Sequence, residues 1–146
     1  MIFPYTRMRR LRNHNVSRNL VRETQLTRHD LMMPLFVVEG LTKPEEITSM
    51  PGVMRFGLDH IGDECSRLWD LGVESVILFG IPAEKDSEGT GAWLENGIVQ
   101  QAVERIRKAS PEMYVVTDVC MCEYTSHGHC GIIRNETVDN DPTLDL

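Results

Sequence analysis

The chain has 146 residues, 41% of them hydrophobic and 25% charged, with a net charge of −7. That is enough for one domain with a core of its own. Its longest apolar runs, Met32–Val38 and Val76–Phe79, fall far short of the roughly 20 residues that cross a bilayer.

The charge is unevenly spread. Residues 1–30 carry seven arginines against Glu23 and Asp30, a balance of +5, which leaves −12 for residues 31–146. We therefore divide the chain into a basic N-terminal arm, residues 1–30, and a body, residues 31–146. The opening residues Met1 to Arg7 lack the apolar core of a secretory signal, so a cytoplasmic location is expected. Such an arm suits either a polyanion or an acidic neighbouring subunit. Neither interleaved aromatics nor a helix-turn-helix pattern supports nucleic acid.

Three short apolar runs follow: Leu31–Val38, Glu74–Gly80 and Met113–Cys120. Each reads as a strand, and near-continuous apolarity predicts burial on both faces in a parallel sheet. Pro34 falls near the start of the first run, where a missing N–H is tolerable. Between the runs, Leu58, Ile61, Cys65, Leu68 and Trp69 recur at helical spacing, and Gly72 is the expected C′ residue. Ile98, Val99, Ala102, Val103, Ile106 and Ala109 form a second stripe, stopped by Ser110-Pro111. The predicted order is β-α-β-α-β, an α/β pattern of right-handed parallel units. Residues 81–97 form a polar connection, either a loop over an active site at the C-terminal end of a strand or a solvated loop, and the solvated reading is preferred. Asp141 reads as the N-cap of a third helix with Pro142 at its first position, so the chain stops as that helix begins.

Chemistry concentrates at Asp118-Val119-Cys120-Met121-Cys122-Glu123-Tyr124-Thr125-Ser126-His127-Gly128-His129-Cys130-Gly131. Along an extended chain Asp118, Cys120 and Cys122 share a face. Cys130 returns after a turn eased by Gly128 and Gly131. Three thiolates can thus converge on one metal, and zinc favours such ligands. Cys65, on a helix stripe, reads as a small core residue. Three protein ligands leave a fourth position open, as at catalytic zinc. Alternatively, His127 or His129 fills that position and makes a structural site. Asp118 either orients a substrate amine or is satisfied by backbone N–H groups.

At this motif the chain resembles the porphobilinogen synthase (5-aminolevulinate dehydratase) family, in its zinc-dependent branch. Arg9-Arg10-Leu11-Arg12, Met50-Pro51-Gly52-Val53 and Val138-Asp139-Asn140-Asp141 share the resemblance. It implies the N-terminal part of a (β/α)₈ TIM barrel preceded by an extended arm that embraces a neighbour in a homo-octamer. It implies condensation of two 5-aminolevulinate molecules to porphobilinogen for tetrapyrrole and heme synthesis. It further implies Zn²⁺ on Cys120, Cys122 and Cys130, an active-site Asp118, and Ser126, His127 and His129 near the site. The family's Schiff-base lysines lie in the second half of its barrel. Here Lys43, Lys85 and Lys108 are the only lysines, and all read as solvated. A full barrel needs about 250 residues. The chain is therefore expected to be truncated before those lysines and inactive alone. Two alternatives are a small structural zinc module and a non-catalytic docking partner of full-length subunits.

Overall fold

A computed structural model describes Ile2 and residues 4–146. The segment read for a secretory signal includes Met1 and Phe3, which lie outside the described residues. The chain divides into two compact units, one running through Asp30 and the other Leu31–Leu146.

The first unit holds two 3-10 turns, Arg10–Arg12 and Arg28–Asp30, and one short helix, α1 (Asn15–Leu20). The His14 imidazole caps α1 by accepting from the Val16 N–H at 3.1 Å. Arg18 donates to the Arg12 carbonyl at 2.8 Å and also to the Asn15 side chain. Met8, Leu11, Val16, Leu20 and Leu26 are all exposed, so local hydrogen bonds rather than a core shape this unit.

In the second unit, β1 (Met33–Val38) leads into a hairpin of β2 (Glu45–Glu46) and β3 (Met54–Phe56). Next come α2 (Leu58–Asp70), β4 (Ser75–Ile81), α3 (Ile98–Ala109) and β5 (Tyr114–Thr117). A second hairpin, β6 (Ile132–Arg134) and β7 (Thr137–Asp139), precedes α4 (Asn140–Thr143). The five-stranded sheet has the order β2-β3-β1-β4-β5. Strands β1, β4 and β5 run parallel, with Leu35 beside Leu78 and Leu78 beside Thr117. This is the expected β-α-β-α-β series. The hairpins were not anticipated. β6–β7 turns at Asn135 and Glu136, both at positive φ, a signature of tight two-residue turns.

Because β1, β4 and β5 are consecutive neighbours, two same-handed crossovers place α2 and α3 on one face. The helices meet through small residues. A Cβ on Gly62 would lie 3.0 Å from that of Ala109, and the Ser66 and Ser110 hydroxyls are 3.0 Å apart. Beneath them lies the core of Leu35, Val37, Ile61, Cys65, Leu68, Val76, Leu78, Ile98, Ala102 and Ile106. Helix α2 ends as anticipated. Gly72, at φ +80°, donates to the Trp69 carbonyl at 2.8 Å, and Val73 donates to Leu68 at 3.0 Å. This paired closure needs a left-handed residue at that position.

Two expectations are corrected. The strands are not buried on both faces: β4 alternates between buried and half-buried residues, so only the helix-covered face is sealed. On the other face Phe36 stacks on Phe79 at 5.4 Å, both of them half-buried. Asp141 is not a helix N-cap. α4 begins two residues earlier, with Asp139 at the N-cap position, so Pro142 occupies its third position. The shift lets Thr143 donate to the Asp139 carbonyl at 2.6 Å and accept from the Ile132 N–H at 3.0 Å.

Two predictions follow from this core. Ile61 is fully buried, so Ile61→Ala should lower unfolding free energy by about 2–5 kcal/mol in urea titration. Burial pushes the Cys65 thiol up to about 12, from an ordinary value of 9.0, with Glu64 adding to the rise. The folded chain thus keeps a proton that the unfolded chain loses. The thiol's contribution to stability is complete below pH 9 and is lost as pH rises towards 12. The stability gap between the wild type and Cys65→Ala should narrow across that window.

Candidate metal centre

Parallel strands send their following loops to the same end of a sheet. The loop after β4 and the loop after β5 therefore meet. The second carries the cysteines. Its path differs from the expected strand extension: β5 ends at Thr117, and only the Asp118 N–H, bonded to the Leu78 carbonyl at 3.2 Å, prolongs the ladder. Beyond it the chain turns, with Tyr124 and Thr125 both donating to the Met121 carbonyl at 2.9 Å. The turn, not β alternation, brings Cys120 and Cys122 together.

The Sγ atoms of Cys120 and Cys122 are 2.9 Å apart, and those of Cys120 and Cys130 are 3.0 Å apart. All three sulfurs lie within 4.8 Å of one another, with no histidine nitrogen in the group. The spacing is too long for a disulfide, at about 2.05 Å. It is shorter than the separation of about 3.8 Å between two tetrahedral ligands each 2.3 Å from zinc, so holding an ion requires a modest spreading. Cys65 is separate and fully buried, as the sequence indicated.

Electrostatics favour a cation here. Burial and the neighbouring sulfurs push Cys120 up to about 12. Cys130 moves the other way, because the Cys120 thiol and the Met121 N–H donate to it. The opposite signs belong to one cluster in which the exposed Cys130 ionises first and like charge resists the next ionisation. A bound cation removes that resistance.

Return of the chain to Cys130 is built around Thr125, which is almost fully buried and donates to the His129 carbonyl at 2.9 Å. Gly128 turns at φ +74° and Gly131 at φ +134°. A Cβ on Gly131 would come within 2.5 Å of the Thr143 hydroxyl. Ser126 donates its N–H to the Asp86 carbonyl at 2.7 Å. His127 Nδ1 accepts from the His129 N–H at 3.2 Å, so its Nε2–H donates to the Ser87 carbonyl at 3.0 Å. Both ring nitrogens of His127 are thereby engaged by backbone. His129 stacks on His127 at 5.8 Å.

Asp118 is exposed and forms a second group with Cys120 and Glu123. Asp118 and Cys120 line a cavity of about 670 Å³ with Trp93, Val99, Met121 and Tyr124. The wall is mostly apolar, with Gln100, Thr117, Asp118 and Cys120 among its polar groups, a composition usual for small-molecule sites. Burial, then the charge of Asp118, raises Glu123 to about 6, while Lys85 opposes the rise. Burial and the same acidic neighbours push the Tyr124 hydroxyl to about 12. Glu123, Tyr124 and Trp93 were not singled out from the sequence. Tyr124 and Glu123 lie within the cysteine motif, but only the turn at Met121 directs them inward. Residues 81–97 are also more than a solvated connection, since they wall the cysteine loop.

The family model of delta-aminolevulinic acid dehydratase matches residues 5–146. The chain belongs to this family. The enzyme of that name from Synechocystis sp. is 50% identical over 149 residues, covering 99% of this chain and 46% of the relative. The Bacillus subtilis enzyme is 48% identical, covering 97% and 44%. That of Ruminiclostridium josui is 50% identical, covering 94% and 67%. The chain thus spans about half the length of most of these dehydratases. A crystal structure of the Toxoplasma gondii delta-aminolevulinic acid dehydratase (porphobilinogen synthase), in complex with the reaction product porphobilinogen, superposes with a TM-score of 0.88 at 27% identity. The match covers 96% of this chain and 41% of that one. The open sheet and its two helices therefore correspond to part of a (β/α)₈ barrel.

Within this arc of the dehydratase fold, Gly80 lets Tyr124 lie against β4. A Cβ there would sit 2.5 Å from both the Tyr124 hydroxyl and a Val99 methyl. Gly80→Ala should cost about 1–3 kcal/mol in urea titration and alter the near-UV signal of Tyr124 and Trp93. Unchanged stability and spectrum would show that the close approach is unimportant.

Proposed function

We propose that this chain supplies the metal-binding part of a porphobilinogen synthase, which condenses two 5-aminolevulinate molecules into porphobilinogen. The observation that carries the reading is the convergence of three cysteine sulfurs beside Asp118 at the mouth of an apolar cavity. Cys120, Cys122 and Cys130 would hold Zn²⁺. Such an ion supplies Lewis acidity and an open position for a substrate amine or carbonyl oxygen. An open position is supported by the grouping of the three sulfurs without a nitrogen of His127 or His129, and by the backbone bonds that occupy both nitrogens of His127. That favours the catalytic reading over a structural zinc module. The Asp118 carboxylate would accept a hydrogen bond from the substrate amine and orient it. Trp93, Val99 and Tyr124 would exclude water from the substrate's carbon chain.

Lys43, Lys85 and Lys108 are all exposed. None lies at a strand end in apolar surroundings, where an amine becomes a nucleophile towards a carbonyl. The Schiff-base step would therefore need residues outside this chain. The basic first unit, with its exposed apolar side chains, would serve self-association in the homo-octamer expected of the family. A cytoplasmic setting suits an unmetallated cluster that must stay reduced.

The purified chain should bind one Zn²⁺ per polypeptide by competition with a chromophoric chelator. Cys120→Ser should weaken binding strongly, and the chain alone should release no porphobilinogen from 5-aminolevulinate. Zinc binding indifferent to Cys120→Ser would sink the metal assignment. Turnover by the purified chain would sink the claim that it is incomplete as a catalyst.

A further inference from the structure

Residues 118–131 contain no helix or strand, and much of what holds them lies in the loop after β4. The Ser126 N–H bonds the Asp86 carbonyl, Asp86 and Thr125 form an isolated parallel bridge, and His127 bonds the Ser87 carbonyl. Gly89 admits the Thr125 methyl, which lies 3.1 Å from where a glycine Cβ would be. The backbone of 86–89 is thus a template for 125–127, and 125–127 in turn direct the chain back to Cys130.

The template owes its own shape to one side chain. Asp86 Oδ1 accepts from the N–H groups of Glu88 at 2.8 Å, Gly89 at 2.6 Å and Thr90 at 3.2 Å. Its Oδ2 accepts from the Thr90 N–H at 3.3 Å and from the Thr90 hydroxyl. These donors, the Thr90 hydroxyl first, hold the carboxylate below its ordinary range. It therefore remains an acceptor throughout the neutral range. Gly89, at φ +74°, completes a turn closed by an aspartate side chain.

We propose that Asp86 is a positioning residue for the three-cysteine site: its carboxylate shapes the 86–90 turn, and that turn's backbone holds the return path to Cys130, presetting the spacing of the sulfurs. Asp86 touches no sulfur and acts only through Ser126, Thr125 and His127. The inference rests on the metal reading given above. Groups that orient metal ligands from outside commonly govern affinity by about 10–100-fold.

The test uses the full chain, with Zn²⁺ competition and the Co²⁺ absorption spectrum as readouts. Native alkylation of Cys65, which stays protected while the core is folded, serves as the control. Asp86→Ala should weaken Zn²⁺ by about 10–100-fold and shift the Co²⁺ bands, with Cys65 still protected. Asp86→Asn keeps a neutral acceptor for the three N–H groups and should recover affinity to within about threefold of the wild type. Zn²⁺ affinity and a Co²⁺ spectrum unchanged in Asp86→Ala would overturn the proposal while leaving the metal site standing. If Asp86→Ala exposes Cys65, Thr90→Val decides. Weakened Zn²⁺ binding in that folded variant supports positioning, and wild-type binding overturns it. A wild-type chain that binds neither metal removes the metal reading itself, and the inference with it.

Discussion

Parallel pairing of β1, β4 and β5 is the constraint on which the rest depends. It forces the segments after β4 and β5 to emerge at one end of the sheet, where they pack against each other. The aspartate-closed turn at 86–90 offers carbonyl groups, and the cysteine loop satisfies its own N–H groups against them. Buried backbone must be paired in this way. The pairing also decides where the sulfurs lie.

The sulfur cluster stores an electrostatic conflict. Three thiols in contact cannot all ionise without a counter-charge, and the opposite shifts of Cys120 and Cys130 express that resistance. A divalent cation relieves it. Asp118 and Glu123 place further negative charge beside Cys120, while the cavity wall of Trp93, Val99 and Tyr124 limits water.

The same parallel sheet leaves one face half-covered. α2 and α3 seal the side lined by Leu35, Val37, Val76 and Leu78, whereas Phe36 and Phe79 stack on the other side. The Synechocystis and Bacillus subtilis dehydratases are about twice as long as this chain. In a closed barrel, such inward residues fill the interior from all sides. The exposed lysines here and the half-covered face are consistent features of one arc of such a barrel.

Much of this was legible in the residues. The apolar runs and helical stripes placed β1, α2, β4, α3 and β5, because burial imposes periods that a linear sequence displays. Gly72 marked the end of α2, since only a left-handed residue closes that turn. The cysteine spacing identified the three sulfurs that come together, and the periodicity of α2 set Cys65 apart. Tertiary structure alone decided how they meet. Cys120 and Cys122 converge through a turn at Met121 rather than along a strand, because the chain leaves the β4 ladder after Thr117 and Asp118 although β4 itself runs on to Ile81. It also decided that His127 spends both nitrogens on backbone and that Glu123 and Tyr124 turn inward. Asp86, remote in sequence, came to shape the loop through Ser126 and His127. These outcomes depend on hydrogen bonds between segments about 40 residues apart, and such pairings leave no periodic trace in the sequence of either segment.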